Sequence, residues 1–248
     1  MKKVVFCTPT VSRPTAPFLK ALEESIPLIQ EAGWDDYSVN EIGCPYISAA
    51  RSRMLRKAMD FNADVFVFID HDLSWNPKDL LKLIQTEGPV ISGTYRFKKD
   101  ETEYMGALFA DPNGRPIVRK DGCVKAHSVP GGFLKITKAA ITTFILNYPE
   151  LLYQEEGSLC IDLFNHGAFD GVWYGEDYSF SRRWREKCGE IWIVPDLSLT
   201  HWATWWAKDG TFHEKPYEGN YHEFLLAQPG GSNSSNPVNP KIVYTRAA

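Results

Sequence analysis

The sequence predicts an α/β fold, and three observations carry that expectation. The chain opens as strand, loop and helix, the start of a nucleotide-binding α/β unit. A run at 64–69 (Asp-Val-Phe-Val-Phe-Ile) is β-branched and aromatic almost throughout, the composition of a fully buried strand. Short apolar runs then alternate with amphipathic segments along the rest of the chain.

The run 4–7 (Val-Val-Phe-Cys) reads as a buried strand that gives way to a loop at Thr8-Pro9-Thr10. Phe18, Leu22, Ile26 and Ile29 recur at helical spacing, so a helix is expected over 18–32, stopped by Gly33 and kinked or broken early by Pro27. A second strand is expected at 37–42 and a helix at 47–61. The strand at 64–69 ends in Asp70-His71-Asp72. Asn76-Pro77 opens a helix at 78–85, with proline suited to the first turn. A strand follows at 90–95. The pattern weakens over 98–125, where Asp111-Pro112-Asn113-Gly114 marks a hairpin turn. A strand at 129–136 is interrupted by Gly131-Gly132, and a helix at 138–146 follows it. Gly175-Glu176-Asp177 leads into a helix at 178–187 closed by Gly189, then a strand at 191–194 and a short run to His201.

With 248 residues, 44% of them hydrophobic, the chain suits one α/β domain with a substantial core, expected over 1–227. Residues 228–248 form a tail rich in Pro, Gly, Ser and Asn in its first half. The formal net charge of −4 and a pI near 5.9 exclude a bulk basic field for nucleic acid. Cys7, Cys44, Cys123, Cys160 and Cys188 are scattered singly, without a C-x-x-C pair, which suits reduced thiols in a cytoplasmic protein. The apolar run after Lys2-Lys3 is too short for a secretory signal, and no membrane span is expected.

Asp70-His71-Asp72 stands at the carboxyl end of a buried strand, where ligands bind in open α/β sheets. Two carboxylates one residue apart can share a divalent cation with the ribose or diphosphate of a nucleotide. Hard oxygen donors suit Mg²⁺ or Mn²⁺, and the adjacent imidazole tilts the choice to Mn²⁺. A solvated turn after a core strand has the same composition. Glu176 and Asp177 suit the positive end of a helix, or a general base for an acceptor hydroxyl. His201 is either structural or a further donor to a metal begun at Asp72.

Taken together, these segments resemble a GT-A glycosyltransferase of the family 2 type over about residues 4–201. Val67-Phe68-Ile69-Asp70-His71-Asp72 is similar to the family's D-x-D strand end, and Val129-Pro130-Gly131-Gly132-Phe133-Leu134 to its Gly-rich strand beneath the donor sugar. Gly175-Glu176-Asp177-Tyr178-Ser179-Phe180 resembles its Glu-Asp segment. Ile193-Val194-Pro195-Asp196 through His201-Trp202 resembles its closing strand and histidine. The resemblance implies a mostly parallel central sheet flanked by helices, and transfer of a sugar from a nucleotide-diphosphate sugar, UDP-sugar favoured, with Mn²⁺ (or Mg²⁺) as cofactor. By position, Thr8, Pro9 and Thr10 would border the base, while Arg51 and His71 would reach the nucleotide. Asp70 would hold ribose or metal, and Asp72 and His201 the metal. Gly131 and Gly132 would let the backbone approach the sugar. Asp177 would be the base of an inverting enzyme, supported by Glu176, with Trp173 and Trp202 at the acceptor. A glycan or protein acceptor is favoured and a modified DNA base is the further option, since compact members also occur in viruses and phages.

Two other readings compete. One is a nucleotide-sugar-binding module without catalysis, against which Asp70, Asp72, Asp177 and His201 stand together. The other is a nucleotidyltransferase, disfavoured because Thr8-Pro9-Thr10-Val11-Ser12-Arg13-Pro14 lacks glycine.

Overall fold

A computed structural model describes residues 2–11 and 13–227; the expected tail at 228–248 lies outside the described residues. The chain opens with β1 (Lys2–Thr10), α1 (Ala16–Glu31), β2 (Trp34–Ile42), α2 (Ile47–Met59) and β3 (Val65–Ile69). Next come β4 (Leu73–Trp75), α3 (Pro77–Gln85), β5 (Val90–Ser92), β6 (Ala107–Leu108), β7 (Val124–Ser128), β8 (Phe133–Thr137) and α4 (Lys138–Asn147). Two small hairpins follow: β9 (Leu152–Glu155) with β10 (Ser158–Ile161), and β11 (Gly167–Phe169) with β12 (Val172–Tyr174). The chain ends in α5 (Glu176–Lys187), β13 (Ile191–Ile193), β14 (Ser198–Trp206), β15 (Phe212–Asn220) and α6 (Tyr221–Ala227).

Eight strands form the central sheet in the order β2-β1-β3-β8-β5-β13-β7-β6, and β15-β14-β4 form a second sheet. Strand alternation divides the core in two. In β3, Phe66 and Phe68 point to the layer of α2, α4 and α5, among Met54, Leu55, Phe144, Phe180 and Trp184. Val65, Val67 and Ile69 point to α1 and α3, among Phe18, Ile29, Leu80 and Leu83. Both faces of β3 are therefore dry, which is why its sequence is apolar without alternation.

The central sheet is mostly parallel in strand direction but mixed in its pairing, with only β8 and β7 running against the other six strands. β1 pairs in parallel with β2 and β3, and β5 with β13, but β8 is antiparallel to both β3 and β5, and β7 to β13 and β6. The reversal of β8 matters for function. It sets Phe133 opposite Ile69, so Gly131-Gly132, in the loop before β8 rather than inside a strand, arrive at the carboxyl end of β3.

Several local expectations change. Thr8-Pro9-Thr10 continue β1 instead of forming a loop, paired with Asn40, Glu41 and Ile42 of β2. β3 pairs with β1 only as far as Cys7, so beyond that point β1 has an open side on which a proline is tolerated. α1 runs through Pro27 to Glu31 without breaking. The short run to His201 is a nine-residue strand. The Asp111 turn forms, with Gly114 N–H donating to Asp111 O at 2.9 Å. All five cysteines are free, and no described helix is long and apolar enough to cross a membrane.

Candidate active site

Asp70 follows the last residue of β3, and its N–H donates to Gly132 O at 2.9 Å, which fixes the turn against the β8 loop. Its carboxylate accepts from Arg51 Nη2 at 2.9 Å and, more loosely, from Tyr95 Oη at 3.4 Å. Arg51 Nη1 donates to Glu176 Oε1 at 2.9 Å. One guanidinium thus joins β3 to the start of α5, bonding one carboxylate on each side. The side chain of Arg51 is 2% exposed and its guanidinium lies 5.0 Å from the Phe164 ring centroid. Burial alone would lower its pKa, but Asp70 and Glu176 outweigh burial and hold the cation firmly charged.

The glycines make room for this pairing. A Cβ on Gly131 would lie 2.4 Å from Arg51 Nη1, and one on Gly132 would lie 2.2 Å from Tyr95 Oη and 2.3 Å from Asp70 Oδ2. Gly131-Gly132 therefore admit the site's own side chains. The same absence of side chains is what the expected approach of the donor sugar requires.

Asp177 lies in the first turn of α5, partly buried, and its Oδ1 accepts from Tyr178 N–H at 2.8 Å. Burial, then the charge of Glu176, lift its carboxyl to about 6 against the opposing pull of Arg51. A carboxylate poised there can take a proton near neutral pH.

Asp72 sits in a second charged group. Its Oδ2 lies 2.5 Å from Lys98 Nζ and 3.7 Å from His201 Nε2. Burial works to raise the Asp72 pKa, but His201 and Lys98 prevail and hold it well below the usual carboxylate range. His201 Nδ1 is 2.9 Å from Arg96 O. A carbonyl only accepts, so Nδ1 carries a proton, and Nε2 faces Asp72. Trp202 N–H donates to Asp72 O at 2.8 Å, and its indole donates to Ser74 Oγ at 2.8 Å.

Arg51, Asp70, Glu176, Gly131 and Gly132 thus meet as one cluster with Asp177 in its field, and Asp72 and His201 form its neighbour. Thr8 and Thr10 are buried at the end of β1, with Thr10 Oγ1 unpartnered among the described residues. His71 is held through its carbonyl, which accepts from Thr15 N–H at 2.9 Å. Trp173 is 70% exposed on the β11–β12 hairpin, its ring 5.9 Å from that of His166. Tyr95 and Lys98 were missed by the sequence reading. The available signal was their place just beyond the end of β5, the same sheet-end position that singles out Asp70.

The donors do not fit a divalent cation as they stand. Asp70 is engaged by Arg51 and Tyr95, and Asp72 by the Lys98 ammonium. Among the described residues no three His, Cys, Asp or Glu side chains converge closely enough to hold an ion. A metal bonded to Asp72 would sit within a few ångströms of Nζ. Two unit charges 4 Å apart repel by about 4 kcal/mol at an effective dielectric of 20, and a divalent ion doubles that.

No family model matches the chain, and no curated protein matches it by sequence. Solved structures similar to it include A197 from STIV, at 14% identity and a TM-score of 0.49 over 86% of this chain and 93% of that one. A glycosyltransferase involved in the glycosylation of the major capsid of PBCV-1 matches at 13% identity and a TM-score of 0.35, over 57% of this chain and 62% of that one. S. aureus TarS 1–349 matches at 10% identity and a TM-score of 0.42, over 79% of this chain and 58% of that one.

Proposed function

We propose that the protein is a glycosyltransferase that moves a sugar from a nucleotide-diphosphate sugar, UDP-sugar favoured, to an acceptor hydroxyl with inversion. The observation that carries this reading is the cluster of Arg51, Asp70, Glu176 and Asp177 at the carboxyl end of β3. Residues from distant parts of the sequence meet where an α/β sheet binds its ligand.

In the transfer step the acceptor oxygen attacks the anomeric carbon as the bond from that carbon to the diphosphate oxygen breaks. The bonding pair leaves with the nucleoside diphosphate, and the acceptor proton passes to the Asp177 carboxylate. Asp177 is suited to this because its pKa lies near 6. Glu176, tied to Arg51, holds the start of α5 in place and faces the acceptor. Asp70, fixed by Arg51 and Gly132, serves the donor ribose. The end of β1 at Thr8, Pro9 and Thr10, with His71, borders the base. Trp173 and Trp202 offer aromatic faces to an acceptor glycan. The Mn²⁺ or Mg²⁺ implied by Asp70-His71-Asp72 has no part in this step, because Lys98 and Arg51 already engage the carboxylates.

The test is release of nucleoside diphosphate from a panel of UDP-, GDP- and CDP-sugars, by wild type and by Asp177→Asn. Wild type should cleave one donor slowly with water as acceptor, and the variant should be about 10²- to 10⁴-fold slower, the usual contribution of a general base. A wild-type protein that cleaves none of them, or an Asp177→Asn protein as fast as wild type, would overturn the reading.

A further inference from the structure

We propose that Lys98 is the resident cation of this site: its ammonium, anchored on Asp72, binds the donor's diphosphate in place of a divalent metal. The inference rests on the sugar-transfer reading and names the group that meets the leaving charge.

Its first support is position. Lys98 belongs to the loop 96–104, which leaves the central sheet beyond β5 and closes on itself through the Arg96–Tyr104 bridge and the 3.0 Å bond from Phe97 N–H to Glu103 O. The loop brings Nζ to 2.5 Å from Asp72 Oδ2 at the D-x-D turn, the place where a metal would otherwise join the protein to phosphate.

The second support is the way the loop is held. His201 Nδ1–H donates to Arg96 O at 2.9 Å. The Arg96 guanidinium donates to Asp100 O at 3.1 Å and more weakly to Glu218 O at 3.4 Å. Lys215 Nζ of β15 lies 2.5 Å from Asp100 Oδ1. The second sheet thus fixes the loop from the far side, and His201, the expected metal ligand, serves as its anchor. This arrangement delivers a cation to Asp72 by construction.

The third support is chemical. An ammonium has three donors, and Asp72 takes one, leaving two for phosphate oxygens. The Lys98 side chain is 33% exposed and that of Asp72 is 18% exposed, so an incoming anion can reach the first while the second holds it in place. With its lysine on the exposed side, such a pair adds little to stability. Stability alone is a weak account of the loop anchoring that surrounds it, and it also means that Lys98 variants will fold.

The experiment titrates UDP, GDP and CDP calorimetrically into wild type, Lys98→Met and Lys98→Arg, each in EDTA and again in Mn²⁺. A parallel titration follows Mn²⁺ alone by its paramagnetic resonance signal. One diphosphate is expected to bind wild type equally well in EDTA and in Mn²⁺, at least tenfold more weakly to Lys98→Met, and nearly normally to Lys98→Arg. Wild type should leave the Mn²⁺ signal unchanged. Diphosphate binding that requires Mn²⁺, binding to Lys98→Met as tight as to wild type, or wild-type capture of Mn²⁺ that Asp72→Asn abolishes would each overturn the assignment of Lys98 while leaving sugar transfer standing. Failure of all three diphosphates to bind under either condition would overturn both.

Discussion

Burial and the neighbouring charge of Glu176 lift the Asp177 carboxyl to about 6, and that value bears on stability and rate in opposite senses. The folded state holds a proton that the unfolded chain gives up near the ordinary value of 3.8. The stabilisation from this group is therefore complete below about pH 4 and is lost as pH rises through 6. At 1.36 kcal/mol per unit the ceiling is about 3 kcal/mol, and partial exposure brings the expectation to about 1–2 kcal/mol. Urea midpoints of wild type and Asp177→Asn at pH 4.5 and 7.5 check this: the stability of wild type relative to the variant should fall between the two. Transfer, by contrast, should rise with pH through about 6 and level off, because the base must be ionised. A flat rate profile would remove Asp177 from that role. At this scale Glu176 and Asp177 were legible because two acids before a helix are a local pattern. Tyr95 and Lys98 offer only their place beyond the end of β5, since neither sits in a motif and the course of the 96–104 loop turns Lys98 toward Asp72. Arg51 was legible as a residue, but its joining of Asp70 to Glu176 depends on a contact 125 residues away.

Elements were read best where the signal was local and worst where it depended on a partner. The apolar run of β3 and the Asn76 cap of α3, which accepts from Lys78 N–H at 3.1 Å, follow directly from neighbouring residues. β4 does not, because its three residues become a strand only against β14. The same holds for β8, whose direction follows from the chain's path and not from its composition. Thr15 shows how an element boundary can serve the site. Its hydroxyl accepts from Phe18 N–H at 3.4 Å to cap α1 and donates to His71 O at 3.2 Å, while its own N–H donates to the same carbonyl. The start of α1 and the middle of Asp70-His71-Asp72 are thereby one unit. Thr15→Ala should cost about 1 kcal/mol, the usual loss for an N-cap, seen as a lower urea midpoint. Thr15→Ser, which keeps the hydroxyl, should recover most of it. Equal losses in the two variants would show that the methyl group matters and the cap does not.

Over the whole molecule the site is a point of closure. Arg51 to Glu176, Arg96 to His201 and Asp72 to Lys98 are contacts at sequence separations of 125, 105 and 26, so both sheets and α2, α5 and the 96–104 loop must be in place before a ligand can be held. A local peptide could not reproduce such a site, and α/β patterning could indicate its place only through the sheet-end rule. Ligand binding should accordingly stabilise the fold as a unit. At a hundred times its Kd, a ligand that binds only the native state adds about 2.7 kcal/mol. For a domain of 150–250 residues each kcal/mol raises the melting temperature by about 2–4 °C, so the nucleoside diphosphate that binds should raise it by about 5–11 °C in one transition, without Mn²⁺. Asp177→Asn should keep most of that rise, because Asp177 faces the acceptor oxygen. Lys98→Met should lose most of it, because the diphosphate then meets no ammonium. A transition that splits in two, with only one part moved by the ligand, would mean that the second sheet melts independently. The contacts from Arg96 and Lys215 would then be too weak to hold Lys98 where the site needs it.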